Sequence, residues 1–237
     1  MEGSAAAGSS SLGAGPLPAR ADLSESGVPQ RSVVTAVEGG PSPGTRRVRL
    51  DNGSLFVIST AYLPPGNGGA FLCPGAALDP EAAAALRHAA DCLEAEAAAL
   101  RLIARAEQCS TGLSRKLERR KYPSQAVRAV LLRLLELDLI DDWRYAKLWL
   151  KSRVARGKKG PRTLEMALRA KGIDRKTAAS ALKTALAGDG EAKLLERCAK
   201  KAVERKQQDF DAGLRFFLKR EGFSSAAIEA FFGEKDL

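Results

Sequence analysis

Residues 164–182, LEMALRAKGIDRKTAASAL, decide the fold, because the chain spells this stretch three times in altered form. Leu113 to Leu131 and Leu214 to Phe232 align with it without gaps, at offsets of 51 and 50 residues. Leucine holds the same two columns in every copy: Leu113, Leu164 and Leu214, then Leu117, Leu168 and Leu218 four positions on. Residues four apart share one face of a helix. Four residues later stand Lys121, Gly172 and Gly222, each followed by a large apolar residue, Tyr122, Ile173 or Phe223. Glycine there suits the left-handed residue that closes a helix, and Lys121 departs from that pattern. Pro123 or Ser124, Asp174 and Ser224 then open a second helix, with side-chain oxygens suited to capping free backbone N–H groups. Its apolar positions are Val127, Val130, Leu131, Leu134 and Leu135 in the first copy and Ala178, Ala181, Leu182, Ala185 and Leu186 in the second. Both sets follow the 0, +3, +4, +7, +8 spacing of one helical face, and the third copy retains Ile228, Phe231 and Phe232.

Upstream of each leucine pair lies another helical stretch: Glu81 to Gln108, Trp143 to Arg156, and Glu191 to Gln207. The fold class that follows is mainly α, with three tandem three-helix repeats in an elongated stack over residues 81–140, 141–190 and 191–237. Over residues 31–80 the pattern changes to short β runs, with Val33, Val34 and Val37, then Arg47-Val48-Arg49-Leu50, then Leu55-Phe56-Val57-Ile58. Asp51-Asn52-Gly53 separates the last two runs and reads as a tight hairpin turn of the primed type. This small β-hairpin module is too slight to stand alone and must lean on the helices. Residues 1–30, mostly Gly, Ala, Ser and Pro, form an arm expected to be disordered.

The 237 residues carry 38 Lys plus Arg against 28 Asp plus Glu, a net charge of +10, unevenly placed. Residues 1–100 sum to −4 and residues 101–237 to +14, so the helical part faces a polyanion or an acidic surface. Cys73, Cys92, Cys109 and Cys198 are too far apart for a metal or redox pair, and the single histidine, His88, cannot complete a zinc site. With no apolar run of about 20 residues and no basic start before an apolar one, a cytoplasmic, cofactor-free protein outside the membrane is expected. No phosphate loop, no H-E-x-x-H and no nucleophile with a plausible His base is present, so an enzyme is not expected. The Asp141-Asp142 pair reads better as helix caps than as a metal or acid–base site.

Basic residues carry the sharper hypothesis: from Arg115 to Lys176 there are 19 cationic side chains against 7 acidic ones. Arg144, Lys147 and Lys151 recur on one helical face, and Arg153, Arg156, Lys158, Lys159 and Arg162 extend the charge around Gly157 and Gly160. Arg119, Arg120 and Lys121 occupy the helix end in the first copy, as Arg169, Lys171 and Arg175 do in the second. Repeated on stacked units, these cations read as one partner- or DNA-binding strip. Tyr145 and Trp149, and Phe216, Phe217, Phe223, Phe231 and Phe232, are expected in the core, and Cys198 as a small buried side chain. Reversing the charges at Arg144, Lys147 and Lys151 together is expected to spare the fold.

The run Leu139-Ile140-Asp141-Asp142, Tyr145-Ala146, Arg153, Lys159-Gly160-Pro161 and Leu168-Arg169-Ala170-Lys171-Gly172-Ile173 resembles the central signature of RecX proteins, bacterial regulators of the RecA recombinase. Ser110 to Leu117 resembles the family's entry to its first unit, and the hairpin is similar to the β segment preceding the repeats in some members. The resemblance implies a non-catalytic, monomeric protein lodged in the groove of a RecA–DNA filament, binding DNA weakly. There it restrains ATP hydrolysis, strand exchange or filament growth. The alternative is a free-standing DNA-binding module of tandem helix-turn-helix-like units, although no helix carries the Asn, Gln and Arg cluster that reads base edges.

Overall fold

The structure is a computed structural model that describes residues 32–65, 69–204 and 211–233. The arm over residues 1–30 and the stretch expected to run on to Gln207 past residue 204 lie outside those residues. Strands β1 (Ser32–Gly39), β2 (Thr45–Leu50), β3 (Leu55–Ser59) and β4 (Ala77–Leu78) form an antiparallel sheet in the order β3-β2-β1-β4. The β2–β3 hairpin falls at Asp51-Asn52-Gly53, but its turn is not the primed type. Only Gly53 takes a positive φ, 83°, and its N–H donates to the Leu50 carbonyl at 3.0 Å. Asn52 Oδ1 instead accepts from the Ser54 N–H at 2.9 Å. A three-residue connection closed by one left-handed glycine results.

Helix α1 (Pro80–Ile103) opens with Asp79 as N-cap, whose carboxylate accepts from the Ala82 N–H at 2.7 Å, and with Pro80 at its first position. It stops five residues before Gln108. The buried Gln108 amide donates to the Ala106 carbonyl at 2.8 Å and the Leu102 carbonyl at 3.4 Å, satisfying groups freed where the helix ends. Buried residues of α1 recur every third position, at Ala83, Leu86, Ala89, Cys92, Ala95 and Ala98. Three residues fall about 60° short of a full turn, so the stripe winds around the helix. Ala83, Leu86 and Ala89 face Val34, Val48, Leu50, Phe56, Ile58 and Leu78 of the sheet. Cys92, Ala95, Ala98 and Ala99 face the next helices instead. One alanine-rich helix thus closes two cores and carries the β module that could not stand alone.

Those next helices are α2 (Ser110–Glu118) and α3 (Ser124–Glu136), followed by α4 (Asp142–Arg156), α5 (Pro161–Ala170) and α6 (Arg175–Ala185), then α7 (Gly190–Glu204), α8 (Asp211–Glu221) and α9 (Ser225–Gly233). All six column leucines are buried, each contributing about 1.5–3 kcal/mol by transfer from water. Residues of α4 to α9, Cys198 on α7 among them, share one continuous core that also takes in Cys109. Tyr145, Trp149, Phe217 and Phe231 pack partly buried against it, and Phe223 and Phe232 are buried within it.

Two expected core residues are not in the core. Leu135 is 43% exposed, because the +8 position lies about 80° around the helix from Val127, at the edge of the buried face. Phe216 is 68% exposed: two residues past Leu214 means about 200° of rotation, which turns it away from Leu214 and Leu218.

Successive units meet at the ends of their middle helices. Cys109 Sγ donates to the Lys171 carbonyl at 3.7 Å and Thr111 Oγ1 to the Gly172 carbonyl at 3.2 Å, setting the C-terminal end of α5 on the N-terminal end of α2. The second joint repeats this at equivalent positions with backbone donors. There the Gly160 N–H donates to the Glu221 carbonyl at 2.8 Å and the Arg162 N–H to the Gly222 carbonyl at 3.1 Å. A Cβ on Gly172 would lie 2.4 Å from Thr111, one on Gly222 2.4 Å from Thr163, and one on Gly160 2.6 Å from the Gly222 backbone.

Lys121 keeps the conformation of this column while losing the glycine. Its φ is 62°, against 93° at Gly172 and 97° at Gly222. The first copy therefore closes its helix as the others do, with a lysine in the left-handed region. Among the described residues no three-helix unit precedes α2 for its end to rest on and Lys121 is exposed, so a side chain fits there at only the backbone cost.

Lys121→Gly is expected to raise stability by about 0.5–1 kcal/mol. Gly172→Ala and Gly160→Ala are expected to lower it by about 1–3 kcal/mol. Urea unfolding midpoints of the three variants against the parent chain check both signs.

Candidate interaction surface

Helix α4 starts at an acidic pair whose two carboxylates cap different helices. Asp141 Oδ1 accepts from the Trp143 N–H at 2.7 Å and the Arg144 N–H at 3.1 Å, closing the start of α4 itself. Asp142 reaches across to α2, where its two oxygens accept from the Ser110 N–H and hydroxyl, each at 2.7 Å. The equivalent position at the next joint is Pro161, which has no N–H to offer. There the clamp is different: Lys159 Nζ lies 2.6 Å from the buried Glu221 carboxylate.

The cations singled out in the sequence divide into two groups. Arg144 is a clamp. Its Nε donates to Glu107 at 2.8 Å, and its terminal nitrogens donate to the Asp138 and Leu139 carbonyls at 3.3 Å. The Glu107 carboxylate holds the Arg144 pKa above its usual value. It braces the turn at Asp138, a non-glycine residue with φ of 57°. Lys159 is a clamp as well. Arg153 and Lys171 converge on Trp149 from α4 and from the end of α5, 5.1 and 5.8 Å from its ring, joining two helices by cation–π contact.

The second group faces solvent. Arg119, Arg120, Lys121, Lys151, Arg156, Lys158, Arg162, Arg169 and Arg175 are exposed, and so is Lys147, whose ammonium sits 4.0 Å over the ring of Trp143. Further exposed cations stand on the same repeated helices, among them Arg115, Arg128, Lys176, Lys183, Lys219 and Arg220. Their signal is positional: Arg115, Lys219 and Arg220 stand on the middle helices in or near the columns of Met166 and Arg169. The triple of Arg144, Lys147 and Lys151 must accordingly be separated, because reversing Arg144 would break the Glu107 clamp along with any surface role.

One expectation about nucleophiles needs correction. Cys92 Sγ does lie 3.5 Å from His88 Nε2, one turn back on α1. Cys92 is fully buried, and burial pushes its thiol up to about 12. Burial pushes Cys198 up to about 11. Both thiols stay protonated at neutral pH, which suits packing. Among the described residues no group of three His, Cys, Asp or Glu side chains could hold a metal ion, and no helix is long and apolar enough to cross a membrane.

Comparison with known proteins places this architecture. A family model described as the second three-helix domain of RecX matches residues 141–182. Regulatory protein RecX of Mycobacterium sp. strain JLS is 35% identical over 127 residues, which are 54% of this chain and 69% of that protein. Its counterpart in Levilactobacillus brevis is 29% identical over 142 residues, 60% of this chain and 52% of that protein. A crystal structure of regulatory protein RecX shares the fold with a TM-score of 0.69 at 23% identity, covering 85% of this chain and 99% of that one. The crystal structure of RecX from Lactobacillus salivarius gives 0.55 at 23% identity, with 62% and 97% covered.

Asp142→Ala is expected to lower stability by about 1–2 kcal/mol, as loss of an N-cap does. The pair Lys147→Glu with Lys151→Glu should stay within about 0.5 kcal/mol of the parent. Chemical denaturation of both variants separates the clamp from the surface cations.

Proposed function

The chain belongs to the RecX family of regulatory proteins, and from that premise we propose that it binds the groove of a RecA–DNA filament and modulates, mainly inhibits, the recombinase. The steps it restrains are ATP hydrolysis, strand exchange and filament growth, in DNA repair and homologous recombination. It acts as a monomer in the cytoplasm, without catalysis and without a cofactor. The observation that carries this reading is that each of the three units, which meet end to end, bears exposed cations. Arg119, Arg120 and Lys121 belong to the first unit, Lys147, Lys151, Arg162, Arg169 and Arg175 to the second, and Lys219 and Arg220 to the third.

A surface of this kind suits a partner that is long and anionic, and a filament offers both DNA phosphate and acidic protein. Inhibition then needs no active site. A ligand that prefers one filament state over another shifts the population toward it by its differential affinity. The caps at Asp141 and Asp142 fit this picture, since both carboxylates serve helix ends.

Titrating the protein onto recombinase-coated single-stranded DNA while following ATP hydrolysis tests the proposal. Hydrolysis is expected to fall as the protein saturates the filament. Unchanged hydrolysis, with binding to naked DNA that weakens steeply with salt, would instead favour a free-standing DNA-binding module.

A further inference from the structure

Two of the most exposed large apolar side chains occupy one column of the repeat. Met166 on α5 and Phe216 on α8 each stand two residues after the first buried leucine of their helix, and they are 61% and 68% exposed. Each has an exposed cation three residues on, Arg169 and Lys219, on the same side of its helix. In the first unit the column holds an exposed cation, Arg115, with Arg119 four residues on. The arrangement lies on helices that meet end to end through Gly160, Arg162, Glu221 and Gly222. Adjacent units thus present the same pair of features in the same order.

We propose that Met166 and Phe216, with Arg169 and Lys219 beside them, form a docking surface for a protein partner whose own surface repeats an apolar hollow next to a carboxylate. The proposal rests on the filament reading given above and assigns the protein-facing side of it. Phosphate rewards cations but gives nothing to a thioether or a phenyl ring, so nucleic acid backbone explains only half of this stripe. A protein surface rewards both, the buried aromatic or Met supplying the anchor and the flanking charges the register. Repetition of the pair on successive units fits a partner built of repeating subunits, and carboxylates complement Arg169 and Lys219.

The test compares the full-length parent chain with the double variant Met166→Ser, Phe216→Ser, measuring affinity for recombinase-coated single-stranded DNA and for naked single-stranded DNA. Both substitutions remove exposed atoms, so the melting temperature is expected to stay unchanged. Filament affinity is expected to fall about tenfold or more, with naked DNA binding unaltered. Undiminished filament binding by the variant overturns the docking surface and leaves the filament reading standing. An equal loss on naked DNA overturns it too, in favour of base stacking on Phe216. If the parent chain itself fails to bind the filament, the functional reading and this surface fall together. The variant Arg169→Glu, Lys219→Glu gives an independent measure: filament binding falls if carboxylates face these cations, and a loss confined to naked DNA counts against the proposal.

Discussion

The rest of the helical structure depends on how closely one helix end can rest on another. The last carbonyls of a helix have no partner within it, and neither do the first N–H groups of the next. Setting the C-terminal end of α8 on the N-terminal end of α5 pairs such carbonyls with such N–H groups directly, and setting that of α5 on α2 satisfies the carbonyls through the side chains of Cys109 and Thr111. The approach tolerates no Cβ on Gly172, Gly222 or Gly160. Two of these glycines also close their own helix with a positive φ, so a single residue type answers a local and a tertiary demand at once. Where the tertiary demand is absent, at the open end of α2, Lys121 keeps the dihedral angle and drops the glycine.

The two joints solve the same problem with different chemistry. Cys109 stands where Gly160 does and carries a Cβ, so the first joint is bridged by the side chains of Cys109 and Thr111. Gly160 lets backbone meet backbone in the second. Asp142 then reinforces the first joint by capping Ser110, and Lys159 reinforces the second by pairing with Glu221. Several cations of the middle unit are therefore part of the framework. The count of cations overstates those free for a partner, since Arg144 and Lys159 are held by carboxylates and Arg153 and Lys171 flank Trp149.

At the other end, α1 shows how a helix of low side-chain volume can serve two cores. Alanine lets both the sheet and α3 approach its axis closely, and the three-residue spacing rotates the buried stripe from one to the other. The same helix that opens the first repeat thereby anchors the β module. Removing either body would leave one half of α1 uncovered.

Periodicity in the sequence determined the helices, the threefold repetition and the columns of buried leucine, because spacing along a helix maps directly onto one face. The hairpin, the capping role of the acidic pair and the excess of positive charge in residues 101–237 were legible for the same local reasons. What neighbours did with those residues was not. The clamp between Arg144 and Glu107 and the reach of Asp142 to Ser110 both depend on which side of an element another element covers. Tertiary structure alone decided them, since a side chain's burial and its partner are set by packing across distances in sequence that no local period encodes.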